Sequence, residues 1–232
     1  MSEALDKVSG IKHLPVFPLP LVLLPNEFLP LHVFEDRYKK MLQDALEERK
    51  LFGITHFEPK DELDVRPPAG TVGCVAEVRE NQLLPDGRSN ILTMGVIRYR
   101  LIDYIESGDP YLVGDVIFFE DETESEEKLN PLADEVYELF ERVAKAAFKL
   151  SGGRGRFPDI PKTAPEQLSF LVTAAFNLDN ALKYQMLETT STSDRLEKLR
   201  DILNQAVNKM EESAEIHKIA QTNGHSTKKI DL

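Results

Sequence analysis

At 232 residues the chain is long enough for one large domain or two small ones, with a sizeable core. Its 41% hydrophobic and 29% charged content is that of an ordinary globular protein. A net charge of -12 argues against nucleic-acid or anionic-membrane binding, both of which need a basic footprint.

The opening Met1 to Asp6 has no charged-then-apolar signal pattern. The apolar run Leu14 to Pro25 is too short to span a bilayer and is broken by Pro15, Pro18 and Pro20. The expected compartment is therefore the cytoplasm, with no membrane partner. In that run Val16-Phe17 and Leu21 to Leu24 read as short strands. Phe28 to Phe34 reads as another, with Pro30 assigning it to a sheet edge or bulge. The period then changes: Tyr38, Met41, Leu42, Ala45 and Leu46 form a helical stripe, with Glu35 and Asp36 at the positive end of the helix dipole. Strand, corner and helix follow one another, with a carboxylate at the corner.

Leu51 to Phe57 reads as a buried strand, and Glu58 to Gly70, rich in proline and charge, as a loop. A long strand from Thr71 to Leu84 meets Pro85-Asp86-Gly87-Arg88, a hairpin turn, and returns over Ser89 to Tyr104. On the return, Ile97, Tyr99 and Leu101 point one way and Arg98 and Arg100 the other. Tyr111 to Phe119 is a further strand. About six strands and one helix over residues 12–119 suit a small curled sheet or barrel. The acidic run Glu120 to Glu127 reads as a solvated connector over 120–130. Asn130-Pro131 is expected to cap a helix striped by Leu132, Val136, Leu139, Phe140, Val143, Ala147 and Leu150. Thr163-Ala164-Pro165-Glu166 has capping-box form, Asp179 to Leu187 is a short helix, and Leu196, Leu199, Leu203, Ala206 and Met210 mark a last one. Residues 131–219 thus form a helical region, and 220–232 a fraying tail.

Three blocks carry a resemblance: Leu14 to Pro25 with Pro30-Leu31-His32-Val33-Phe34-Glu35; Gly70 to Gly73 with the hairpin and Gly95 to Leu101; and Tyr184 to Glu188 through Arg195 to Leu199. In this order they resemble the N-terminal, substrate-binding domain of Lon protease, especially its small stand-alone bacterial relatives. The resemblance implies an α+β fold, a PUA-like β-barrel followed by a four-helix bundle. It also implies a non-catalytic module that binds unfolded or exposed protein segments, as an adaptor in protein quality control or beside an ATP-dependent protease. The sequence has no Gly-x-x-x-x-Gly-Lys-Ser/Thr phosphate loop, and it ends before a peptidase could begin.

Chemistry-bearing residues are few. Cys74, the one cysteine, reads as a buried strand residue rather than a nucleophile. The five histidines have no metal-ligand spacing, and His32 and His56 read as satisfied structural residues. Gly152-Gly153-Arg154-Gly155-Arg156 reads as an interhelical loop rather than a phosphate loop. No metal or cofactor is expected. Glu35 and Arg98 are singled out as an ion pair, with ligand contact by Arg98 as the alternative. Peptide-binding candidates are Phe17, Leu23, Leu24, Phe28, Leu83 and Leu84, each with an ordinary core reading beside it, and Arg98 and Arg100 at the edge of an apolar barrel–bundle groove. The alternative function is RNA binding by a PUA-like barrel through Arg66, Arg79, Arg88, Arg98 and Arg100. A third reading, an unrecognised hydrolase, has no nominated nucleophile.

Overall fold

Prolines decide how the first strand is used. In the computed structural model, which describes residues 2–61, 64–150, 157–176 and 178–223, β1 (His13–Leu19) changes partner at Val16. It pairs antiparallel with β6 (Leu112–Phe119) over His13 to Val16, and parallel with β3 (Leu51–His56) over Val16 to Leu19. Pro15 and Pro18 each lie where only one neighbour is paired, so neither has to donate on a second side. β2 (Phe28–Val33) pairs with β5 (Ser89–Ile105) alone among the described strands, which fits Pro30 on a sheet edge.

β4 (Val72–Leu83) and β5 form the expected hairpin, with Gly87 at φ 79° and its N–H donating to Leu84 O at 3.0 Å. The six strands make one mixed sheet in the order β2-β5-β4-β3-β1-β6. β6 also pairs with the far half of β5, the second strand in that order. Two apolar clusters flank this sheet. One joins Phe17, Leu23, Leu24, Met41, Leu42, Phe52 and Ile54, and the other Leu14, Val75, Ile97, Tyr99, Leu101 and Val116.

α1 (Glu3–Val8), capped by Ser2, was not foreseen, because six residues carry too little periodicity to be seen. Leu21 to Leu24 is not a strand. It is a buried loop held by the Glu27 carboxylate, which accepts from Leu24 N at 2.9 Å, and by Asn26 N–H donating to Gly95 O. α2 (Asp36–Glu47) buries Tyr38, Met41, Leu42 and Ala45 as its stripe predicts.

Four more helices follow: α3 (Glu126–Leu150), α4 (Pro165–Ala175), α5 (Asn180–Glu188) and α6 (Thr192–Asn223). α3 begins a turn earlier than expected, with Ser125 O accepting from Lys128 and Leu129 N–H, so Pro131 lies inside it rather than at its start. The Thr163 hydroxyl has no hydrogen-bond partner, so the expected capping box does not form. Asp179 does cap α5, accepting from Leu182 N at 2.8 Å. Residues 224–232 of the expected tail, and the glycine-rich loop 152–156, lie outside the described residues.

The chain divides into two units, Met1–Thr123 with Phe170–Thr192, and Glu124–Ser169 with Ser193–Leu232. Residues 170–192 therefore go with the sheet rather than with the helical region. The reason is local: Phe170 and Leu187 enter the larger sheet cluster, and Val72 N–H donates to Tyr184 Oη at 3.0 Å.

In the second unit, Glu124 is not a solvated connector residue. Burial disfavours its charge, but Lys128 Nζ and the Ser193 hydroxyl and N–H outweigh this and hold its pKa at about 2. Its stabilising contribution is complete above the unfolded carboxylate pKa, about 4.3, and is lost as pH falls toward the folded value. Urea titrations should show Glu124→Gln less stable than the parent at pH 6, with the difference shrinking between about pH 4 and 2. A separate test concerns close packing: a Cβ on Gly95 would overlap the Leu24 carbonyl. Gly95→Ala should cost about 2 kcal/mol of unfolding free energy.

Candidate functional site

Arg98 is only 1% exposed, and the sequence pair Glu35–Arg98 does not form. β6 ends at Phe119 directly opposite Arg98, so two further residues bring Asp121 to the guanidinium. Arg98 Nη2 donates to Asp121 Oδ1, and Nη1 donates to Leu187 O at 3.1 Å and Thr189 O at 2.7 Å. The guanidinium also lies 4.6 Å from the Phe119 ring centre. Thr192 Oγ1 donates to the other Asp121 oxygen. Glu35, on the exposed corner before α2, instead accepts from Arg37 Nε and Nη2, each at 2.9 Å. Asp121 wins because a carboxylate on the exposed corner cannot reach a guanidinium sealed between β5, the end of α5 and the chain just after β6.

The other candidates separate by burial. Phe17, Leu23 and Leu24 are core residues, whereas Phe28 is 59% and Leu83 70% exposed. Leu84 is half-buried and Arg100 exposed, its Nη1 donating to Gly70 O at 3.0 Å. Burial pushes the Cys74 thiol up, so it is no nucleophile at neutral pH. His32 Nδ1 meets Asn90 Oδ1 at 2.7 Å, but buried His56 Nδ1 has no hydrogen-bond partner, against expectation. Of the arginines proposed for RNA, Arg98 is buried, while Arg79 and Arg88 pair with Glu77 and Asp86. No metal-binding group of three or more ligands occurs among the described residues. No helix among them is long and apolar enough to cross a membrane.

Sequence reasoning missed an open apolar groove in the sheet unit. A groove of about 540 Å³ runs between the end of β2 and the segments that follow β1 and β3. Leu19, Leu31, Phe57 and Tyr38 line it, and Phe34 (58% exposed) and Val65 (76% exposed) stand at its rim. In the sequence Phe34 reads as a strand residue and Val65 as part of a polar loop. A signal was present, since Phe34 follows an edge strand and precedes a helix that buries only one face.

Comparison with known proteins fixes the family. The model of the ATP-dependent protease La (LON) substrate-binding domain matches residues 13–205. The chain belongs to this family. It is 28% identical to the Lon protease of Brevibacillus choshinensis over 199 residues, covering 84% of this chain and 25% of that one. It is 27% identical to Lon protease 2 of Myxococcus xanthus, over 82% of this chain and 23% of the relative. The chain thus spans about a quarter of the length of these Lon proteases. In fold it is similar to a Lon N-terminal domain protein from Xanthomonas campestris (TM-score 0.60, 23% identity, 82% of this chain and 97% of that one). The N-terminal domain of a Mycobacterium avium complex Lon protease is similar too (TM-score 0.61, 20% identity, 83% and 98%).

Arg98→Lys keeps the charge but loses the fork that serves three acceptors, two of them backbone carbonyls. It should lower stability by about 2–3 kcal/mol, measured by chemical unfolding. Arg100→Lys, at an exposed site, should change it by less than about 0.5 kcal/mol.

Proposed function

We propose that this Lon substrate-binding domain is a non-catalytic module that holds extended, apolar segments of other proteins. In this reading it acts as an adaptor in the cytoplasm, beside an ATP-dependent protease. The sheet unit would be a PUA-like barrel that carries the binding surface, with the later helices as its bundle. The observation that supports it is the open groove with Phe34 and Val65 at its rim, beside membership of a family described by substrate binding. Phe28 and Leu83, both well exposed, extend the apolar surface of the same unit. The RNA reading is the weaker one, because Arg98 is buried and Arg79 and Arg88 are paired with neighbouring carboxylates.

An array of unfolded-protein peptides tests this directly. Apolar peptides should bind, and the Phe34→Ser/Val65→Ser double variant should bind them about thirtyfold more weakly, since each lost side chain removes apolar contact worth about 1 kcal/mol. Its melting temperature should be unchanged, because both side chains are exposed in the free protein. Uniform absence of peptide binding, or binding indifferent to the double substitution, would count decisively against the reading.

A further inference from the structure

The groove does not end at Val65. A second cavity of about 280 Å³ shares Arg37, Tyr38 and Leu112 with it. A third, of about 330 Å³, shares Asp64 and Val65 with the groove and Arg66 and Tyr104 with the second. The three thus adjoin one another along shared walls and together make a furrowed surface that lies entirely within the sheet unit. The first cavity is walled by Leu19, Leu31, Phe34, Phe57 and Val65, with Glu35, Glu58 and Asp64 also along it, and acids continue through the other two as Asp64, Asp103, Glu106 and Asp109, beside Arg37 and Arg66.

Six carboxylates line the furrow against two arginines, a net charge of -4. One carboxylate, Glu35, is neutralised by Arg37. The other five, Glu58, Asp64, Asp103, Glu106 and Asp109, are exposed, and none has an ion pair among the described residues. Both arginines lie over tyrosine rings, Arg37 over Tyr38 at 4.5 Å and Arg66 over Tyr104 at 4.3 Å. Their charge faces an aromatic surface, leaving the unpaired acids to set the sign of the field along the furrow.

We infer that the furrow's occupant is an extended peptide segment carrying apolar residues next to lysine or arginine. This rests on the peptide-binding reading above and adds selectivity by charge. The apolar residues sit among Leu31, Phe34, Phe57 and Val65, while the cations reach the acids at positions 103, 106 and 109. A second copy of this chain is a poor occupant, since two chains of charge -12 repel. Acidic apolar segments are excluded by the same field.

Three fluorescent peptides with one apolar sequence, and spacers of lysine, serine or glutamate, test the inference by anisotropy. The lysine peptide should bind about tenfold tighter than the serine peptide, the sum of several exposed ion pairs, and the glutamate peptide weaker than both. Raising salt should erase most of the lysine advantage. The variant Asp103→Asn/Glu106→Gln/Asp109→Asn, at exposed positions, should keep the parent's melting temperature and bind lysine and serine peptides alike. Equal binding of all three peptides, still weakened by Phe34→Ser/Val65→Ser, would overturn the charge selectivity and leave the peptide-binding reading standing. A lysine preference that survives the triple substitution would also overturn it. If no peptide binds, the underlying reading fails and this inference fails with it.

Discussion

A guanidinium sealed from water has to find acceptors for its donors, and Arg98 finds them on three pieces of chain. Asp121 follows directly from the strand paired with Arg98, whereas the carbonyls of Leu187 and Thr189 come from the end of α5, about ninety residues away. An arginine in this position costs several kcal/mol of desolvation unless all its acceptors are in place. The interaction is therefore all-or-none in character. It ties the 170–192 segment to the sheet, and Phe170 and Leu187 then complete the sheet's larger core. The division of the chain into units follows from this tie rather than from the order of strands and helices along it.

The same accounting explains how the acidic segment after β6 is used. A run of like charges is ordinarily solvated, and most of these side chains are. Asp121 and Glu124 are among the exceptions, because each has donors enough to offset the loss of water: Arg98 and Thr192 for one, Lys128 and Ser193 for the other. The acids along the furrow, Glu35 apart, are exposed and have no ion pair among the described residues. Carboxylates that look alike in composition thus divide into structural anchors and an open field.

The apolar surface divides on similar grounds. Leu23 and Leu24 lie in a loop whose backbone is satisfied by Glu27 and Gly95, so it can turn its side chains inward without a strand. β2 has a partner on one side, and its Pro30 discourages another strand from adding there. The chain then turns out into Phe34 before α2 begins, which leaves an aromatic ring in water at the mouth of the groove.

Much of this protein was legible in residue order alone. Proline positions, the switch from period two to period 3.6 at the corner, and the Pro85 to Arg88 turn are local signals, and each sets an element through its own backbone chemistry. The six strands, the hairpin, α2 and α5 follow from them, and the family from the three ordered sequence blocks that resemble it. Partner choice does not. Whether Arg98 meets Glu35 or Asp121 depends on which residue faces the end of β6, and pairing register is a property of the sheet, not of either segment. Burial of Leu23 and Leu24 and exposure of Phe34 likewise depend on what lies across from them. The furrow is the extreme case, for it is assembled from β1, β2, the loop after β3 and the turn before β6, segments that only the strand pairings of the folded sheet bring together.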